Sequence, residues 1–273
     1  MDSKQLKNIV NDNRRRIVEM VHAAGVGHIG GSLSVIDILT VIYEVYVDLS
    51  SSQRSRVVLS KGHATPALYA ELTKKGIINE DEYPSFRQLN SRLQGHPSQV
   101  NIPEIDGTTG LLGQGFSIAL GEAIAKKATG DLHHVYAIAG DGEMQEGQNW
   151  EALMCAAHYG LDNLTFVVDY NRLSSSGDVN ESLRLEPLVD KLRAFGLHVI
   201  EIDGHDIDQI LAALKESNTT KGKPSAIIAH TIKGKGISFM ENDTQWHSKG
   251  LSDEQYEAAL RDIESEKAAI ANG

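Results

Sequence analysis

The sequence predicts an α/β fold, a doubly wound parallel sheet with helices on both faces, and two observations carry that expectation. Five short runs of β-branched and apolar residues recur, at 56–60, 135–139, 164–168, 198–202 and 225–229. Helical stretches separate them. Continuous apolar strands alternating with amphipathic helices are the signature of a parallel sheet buried on both sides, because right-handed crossovers lay helices over each face.

Taken in order, residues 1–50 read as a helical N-terminal portion, from about 3 to 47, packed on the sheet. The strand at 135–139 runs into Gly140-Asp141-Gly142, a turn off its C-terminal end, and a helix is predicted from 146 to 159. Trp150, Leu153, Met154 and Ala157 stand at i, i+3, i+4 and i+7 of that helix and predict its buried stripe. Gly160 ends it. The next strand, 164–168, closes on Asn171. The last helix opens on Ser252-Asp253-Glu254-Gln255, a capping-box spacing, and carries Tyr256, Ala259, Leu260 and Ile263 on one face. No repeat or Pro/Ser-rich linker divides the chain, which predicts one domain over 1–273.

Composition bounds the function. With 273 residues, 41% of them hydrophobic, the chain can fill a full core. The net charge is −11, and the basic residues are scattered apart from Arg14, Arg15 and Arg16, so neither nucleic acid nor an anionic membrane is an expected partner. Cys155 is alone, which excludes an internal disulfide and a cysteine zinc cluster. No signal peptide or membrane-length apolar run is evident, and a cytoplasmic location is expected.

Asp141 and Asn171 fall at the carboxyl ends of two strands, the edge where open α/β sheets bind ligands. A carboxylate, a carboxamide oxygen and a loop carbonyl such as that of Leu173 make a hard oxygen set suited to Mg²⁺ or another divalent cation with phosphate oxygens completing it. Gly142 lets backbone approach a phosphate, and the following helix brings its positive end near. Taken alone, the Gly-Asp-Gly stretch reads equally as a strand-to-helix turn. A P-loop and a GxGxxG turn after a strand are both missing, and "GTTGLLGQG" at 107–115 has neither the feeding strand nor the spacing of a dinucleotide turn.

Of eleven histidines, four occupy loop-like settings: His28, His63 and His96 each follow a glycine, and His247 lies between Trp246 and Ser248. Each alone reads as structural. Together they read as neutral imidazoles able to donate or accept near a ligand, in no zinc-binding spacing.

Asp141 followed thirty positions later by Asn171 resembles the thiamine diphosphate signature. "VGHIGGSLSVIDIL", "LSKGHATPALYA", "LQGHPS", "GTTGLLGQGFSIALGEAIA", "GDGEMQEGQNWEAL", "VVDYNRLSSSG" and "HTIKGKGISFMEN" with the later "WH" resemble, in order and over nearly the whole chain, the N-terminal half of transketolase. The resemblance implies the thiamine diphosphate-binding fold of the diphosphate-holding module. It implies that Asp141, Asn171 and the Leu173 carbonyl hold Mg²⁺, and that Gly142 and His63 meet the diphosphate. Gly110, Leu111, Leu112 and His247 would line the coenzyme, while His28 and His96 would reach donor-sugar hydroxyls. Glu146 would join the partner contact and a proton relay between paired sites. "GHPS" departs from the family's common "GHPE" at Ser98. The implied activity is transfer of a two-carbon ketol unit from a ketose, or a sugar phosphate, to an aldose. Because transketolases are more than twice this long, the resemblance also implies a heterotetramer formed with a separate C-terminal-half subunit. Alternative readings are a subunit of a 2-oxoacid dehydrogenase or deoxyxylulose-phosphate synthase-like enzyme, which the histidine set disfavours, and a non-catalytic subunit that kept the fold.

Overall fold

The computed structural model describes residues 1–272. Five strands, β1 (Arg56–Leu59), β2 (Val135–Gly140), β3 (Leu164–Tyr170), β4 (His198–Asp203) and β5 (Ser225–His230), form one parallel sheet in the order β1-β2-β3-β5-β4. All five expected strands are present. The helices are α1 (Ser3–Ala24), α2 (Ile29–Val45), α3 (Thr65–Lys74), α4 (Gln114–Thr129), α5 (Gly147–His158), α6 (Val179–Ser182), α7 (Leu188–Ala194), α8 (Ile207–Thr219) and α9 (Asp253–Asn272).

Because side chains alternate across a strand, the sheet feeds two separate cores. Val57, Leu59, Tyr136, Ile138, Val167 and Ile227 pack with α1, α2, α3 and α8. Val58, Ala137, Phe166, Val168 and Ile228 pack with α4, α5 and α7 on the opposite face. Hydrogen-bonded caps fix both chain-terminal helices. Asp2 and Gln5 cap α1 reciprocally at 2.8 and 3.0 Å, and Ser252 and Gln255 do the same for α9 at 3.0 and 3.3 Å.

The buried stripe of α5 is a correction. Asn149, Ala152, Leu153 and Ala156 face inward, whereas Met154 is 56% exposed. Trp150 and Leu153 of the expected stripe do pack on the core, and the inward side also carries polar bonds, from the Asn149 carboxamide to the Glu143 carbonyl at 2.7 Å and from Trp150 Nε1 to the Met144 carbonyl at 2.9 Å. Nor are the three consecutive arginines a basic patch. Arg14 pairs with Asp37 at 2.6 Å, Arg15 with Glu19 at 2.7 Å and Arg16 with Glu80 at 3.4 Å. Among the described residues no helix is long and apolar enough to cross a membrane.

A buried carboxyl lies among the N-terminal helices. Glu71 of α3 accepts from Asn13 Nδ2 at 2.5 Å and from the Thr40 hydroxyl, while its Oε2 is buried without a partner. Burial raises its pKa to about 7. Below the unfolded value near 4.5 both states hold the proton. As pH rises from there to about 7, the unfolded chain ionises first and stability falls by up to about 3 kcal/mol, then levels. Glu71→Gln is therefore expected to match the parent at pH 5 and exceed it by roughly 2 kcal/mol at pH 8, read from denaturant midpoints.

Candidate active site

The register brings the candidate residues to one edge. Gly140 pairs with Asp169 and Tyr170 with His230, so Asp141, Asn171 and Thr231 leave three adjacent strands at their carboxyl ends. The β1 end contributes Lys61 and His63, and His28 stands just before α2. A cavity of about 460 Å³ opens there, lined by His28, His63, Asp141, Gly142, Asn171 and His247, with Gly110, Leu112, Glu146, Leu173 and Lys233 also facing it.

Three of the four singled-out histidines form a triangle, with ring centroids 5.3 Å (His28 to His63), 5.4 Å (His28 to His247) and 5.4 Å (His63 to His247) apart. His96 lies beside them, against Gly110. A Cβ at that glycine, whose φ is 154°, would stand 3.1 Å from His96 Cγ. Leu111 is 77% exposed and outside the cavity lining. Burial, reinforced by neighbouring cations, lowers the pKa of His28 to about 4 and of His247 to about 3, and holds His63 well below the ordinary value. The rings are neutral at physiological pH. Lys233 Nζ lies 2.9 Å from His247 Nδ1. An ammonium can only donate, so the proton of His247 resides on Nε2.

Four functional-looking side chains were not singled out from the sequence. Lys61, 2% exposed, pairs with fully buried Asp169 and donates to the Gly31 carbonyl at 3.0 Å. Asp169 also accepts from Ser34 Oγ at 2.5 Å and from the Thr231 hydroxyl, and Asn171 Nδ2 lies 3.4 Å from it. Burial alone would lift Asp169, but Lys61 and these bonds hold it low. Glu143 ties the glycine-rich loop to the turn after β2, accepting from Gly113 N at 3.0 Å, Gly140 N at 3.3 Å and Ser60 Oγ at 2.5 Å. Lys233 donates to the Leu173 carbonyl at 2.7 Å, and burial with the charge of Lys61 lowers its pKa to about 8.

The donor set fits a metal-diphosphate group. Asp141 has its carboxylate on the backbone N–H groups of Gly142 (2.7 Å) and Arg172, with no cationic side chain paired to it among the described residues. Burial and then the nearby Asp169 charge raise its pKa to about 6. A cation is what this carboxylate lacks. A Cβ on Gly140 would meet nothing within 4 Å, and one on Gly142 only Ser174 Cβ at 3.7 Å and Val179 Cγ2 at 4.0 Å, both ordinary van der Waals distances, which leaves open space beside the turn. His28 Nδ1 is buried and unpartnered. Among the described residues no group of three or more His, Cys, Asp or Glu could hold a metal, so any cation bound here would need amide and carbonyl oxygens too.

A parallel sheet with this set at its carboxyl edge defines a coenzyme-binding α/β protein. Residues 5–267 match the family described as transketolase, thiamine diphosphate binding domain, and the chain belongs to that family. It is 40% identical, over 92% of its length and 91% of the relative's, to an apulose-4-phosphate transketolase subunit from Phocaeicola vulgatus. It is 41% identical, over 96% and 98%, to the 6-deoxy-6-sulfo-D-fructose transketolase subunit SqwG of a Clostridium species. The crystal structure of transketolase from Campylobacter jejuni superposes with a TM-score of 0.89 at 31% identity, over 99% of this chain and 46% of that one. The chain thus spans about half of that transketolase.

Proposed function

We propose that this chain is the thiamine diphosphate-binding subunit of a two-chain transketolase, active only with a separate C-terminal-half subunit. The observation that carries the reading is the convergence of Asp141, Asn171 and three neutral imidazoles on one cavity. Two relatives that match over nearly their whole lengths are named subunits, which supports a separate partner. Two copies of each chain, with sites at their interfaces, form the heterotetramer, in the cytoplasm.

In this reading Asp141, Asn171 and the Leu173 carbonyl hold Mg²⁺, and Gly142 and His63 meet the diphosphate. The Leu173 carbonyl now accepts from Lys233, so that bond would have to give way for this oxygen to serve as a metal ligand. Bound thiamine diphosphate supplies a carbon centre that accepts and delivers a two-carbon ketol unit. The chain's own part is positioning and proton transfer. His247 presents an Nε2–H, and His28 and His96 present neutral rings to sugar hydroxyls. Leu111 and Leu112, exposed by 77% and 36%, and exposed Glu146 are left to be covered by the partner chain.

Substrates carrying a phosphate or sulfonate are both compatible with relatives of nearly equal identity. The test is co-expression with the neighbouring reading frame, then an assay with thiamine diphosphate and Mg²⁺ across phosphorylated, sulfonated and branched ketoses. Ketol transfer by the mixture and by neither chain alone is expected. Full activity of the single chain, or failure to associate with any partner of C-terminal-half type, contradicts the reading.

A further inference from the structure

The turn between β4 and α8 meets the chain leaving β5 behind the cavity. Gly204 permits the approach. A Cβ there would fall 2.4 Å from Thr231 Cγ2 and 3.1 Å from Ala229 Cβ, and its N–H donates to the His230 carbonyl at 2.8 Å. Next to it, His205 is pressed against Ile232. The last backbone bond joining this segment to β3 is Thr231 N to the Tyr170 carbonyl, 3.2 Å, so Ile232 has left the ladder, and its N–H donates instead to His205 Nε2 at 2.8 Å.

With Nε2 accepting, the neutral ring carries its proton on Nδ1 and donates it to Asp37 Oδ2 at 3.2 Å. The same oxygen accepts from Arg14 at 2.6 Å. Four groups therefore link α1 and α2 to a backbone amide beyond the sheet: Arg14, Asp37, His205 and Ile232. Of the two side chains flanking that amide, Lys233 lines the cavity and Thr231 is tied to the buried Asp169 beneath it. Thr231 bonds Asp169, and Lys233 reaches the Leu173 carbonyl at 2.7 Å and His247 Nδ1 at 2.9 Å.

We propose that His205 is a positioning residue. By holding the Ile232 amide it sets the backbone that delivers Lys233 to the coenzyme cavity and Thr231 to Asp169 beneath it, so its imidazole is needed as an acceptor–donor pair rather than as bulk. The proposal rests on the reading that this cavity takes thiamine diphosphate. His205 and Asp37 also line a second cavity, of about 830 Å³, on the far side, which leaves room for a flexible replacement.

His205→Phe keeps a ring and removes both bonds. His205→Gln restores them, with Oε1 accepting from Ile232 and Nε2 donating to Asp37. Hydrogen exchange of the full chain over 228–237 is expected to quicken at least about tenfold at Ile232 in the Phe variant and to return near the parent rate in the Gln variant. Apparent affinity for thiamine diphosphate with Mg²⁺ should weaken about tenfold in the Phe variant and stay within about twofold in the Gln variant. If the Phe variant does not fold, His205→Ala makes the same test. Unchanged exchange without the imidazole, failure of glutamine to restore it, or faster exchange with unaltered coenzyme affinity each overturns the proposal. A parent chain that takes up no coenzyme, alone or with its partner chain, sinks the functional reading instead, and the exchange rates still decide whether His205 holds Ile232.

Discussion

Asp141→Asn is expected to cost the chain its coenzyme while leaving the unliganded fold intact or firmer. Removing the only carboxylate from the metal set should weaken apparent thiamine diphosphate affinity in Mg²⁺ by about a hundredfold, roughly 3 kcal/mol. The reconstituted enzyme's activity should fall with it. Stability moves the other way because Asp141 is 3% exposed and its pKa is lifted to about 6 by burial and the neighbouring Asp169. A carboxyl raised in this direction costs stability once pH exceeds its unfolded value near 3.9, so at pH 7.5 the amide relieves that cost, less the acceptor lost at the Gly142 or Arg172 N–H. Thermal melts with and without coenzyme and Mg²⁺ check both halves. The parent should show a ligand-induced rise in Tm, and the variant should show none while melting no lower when unliganded. An Asp141→Asn protein that binds as the parent does would remove Asp141 from the metal set.

The second large effect concerns the layer beneath. Asp169→Leu leaves Lys61 buried without its counterion and strands the Ser34 and Thr231 hydroxyls that bond the same carboxylate. A loss of about 3–5 kcal/mol is expected, roughly 10 °C in Tm for a chain of this size. Pairing it with Lys61→Met should recover most of the stability, because the penalty belongs to the uncompensated ammonium rather than to the missing ion pair. Asn171 would still lose the Asp169 oxygen lying 3.4 Å from its amide nitrogen. The double variant is therefore expected to be stable yet bind coenzyme poorly. Equal stability of the single and double variants would contradict the assignment of the penalty to Lys61.

The sheet was legible because these strands are buried on both faces, and short apolar cores such as 57–59, 135–139, 166–168 and 226–229 leave little else for 56–59, 135–140, 164–170 and 225–230 to be. The carboxyl-edge position of Asp141 and Asn171 followed from those runs alone. The face of α5 did not. Its inward side is built from Ala152, Ala156 and Asn149, small or polar residues that fit close to their neighbours, while Met154 shares the same helical period and points outward.

The buried charges were hidden for a different reason. Lys61, Asp169 and Lys233 each interrupt or end an apolar stretch, and a charge in such a place requires a partner. The partner's identity is a matter of topology: Lys61 and Asp169 are 108 positions apart and meet only because β1 and β3 flank β2. A lone Asp inside "FVVDY" was the available signal. His205 was likewise invisible, since its value lies in a main-chain N–H that leaves the ladder one residue after Thr231.

Anomalous diffraction from crystals of the thiamine diphosphate complex grown with Mn²⁺ in place of Mg²⁺, partner chain included, tests the central assignment most directly. One peak bonded to Asp141, the Asn171 carboxamide oxygen and the Leu173 carbonyl, with diphosphate density beside Gly142 and His63, is the expected result. A coenzyme seated elsewhere, or a metal peak that leaves Asp141 and Asn171 without a bond to it, would contradict it.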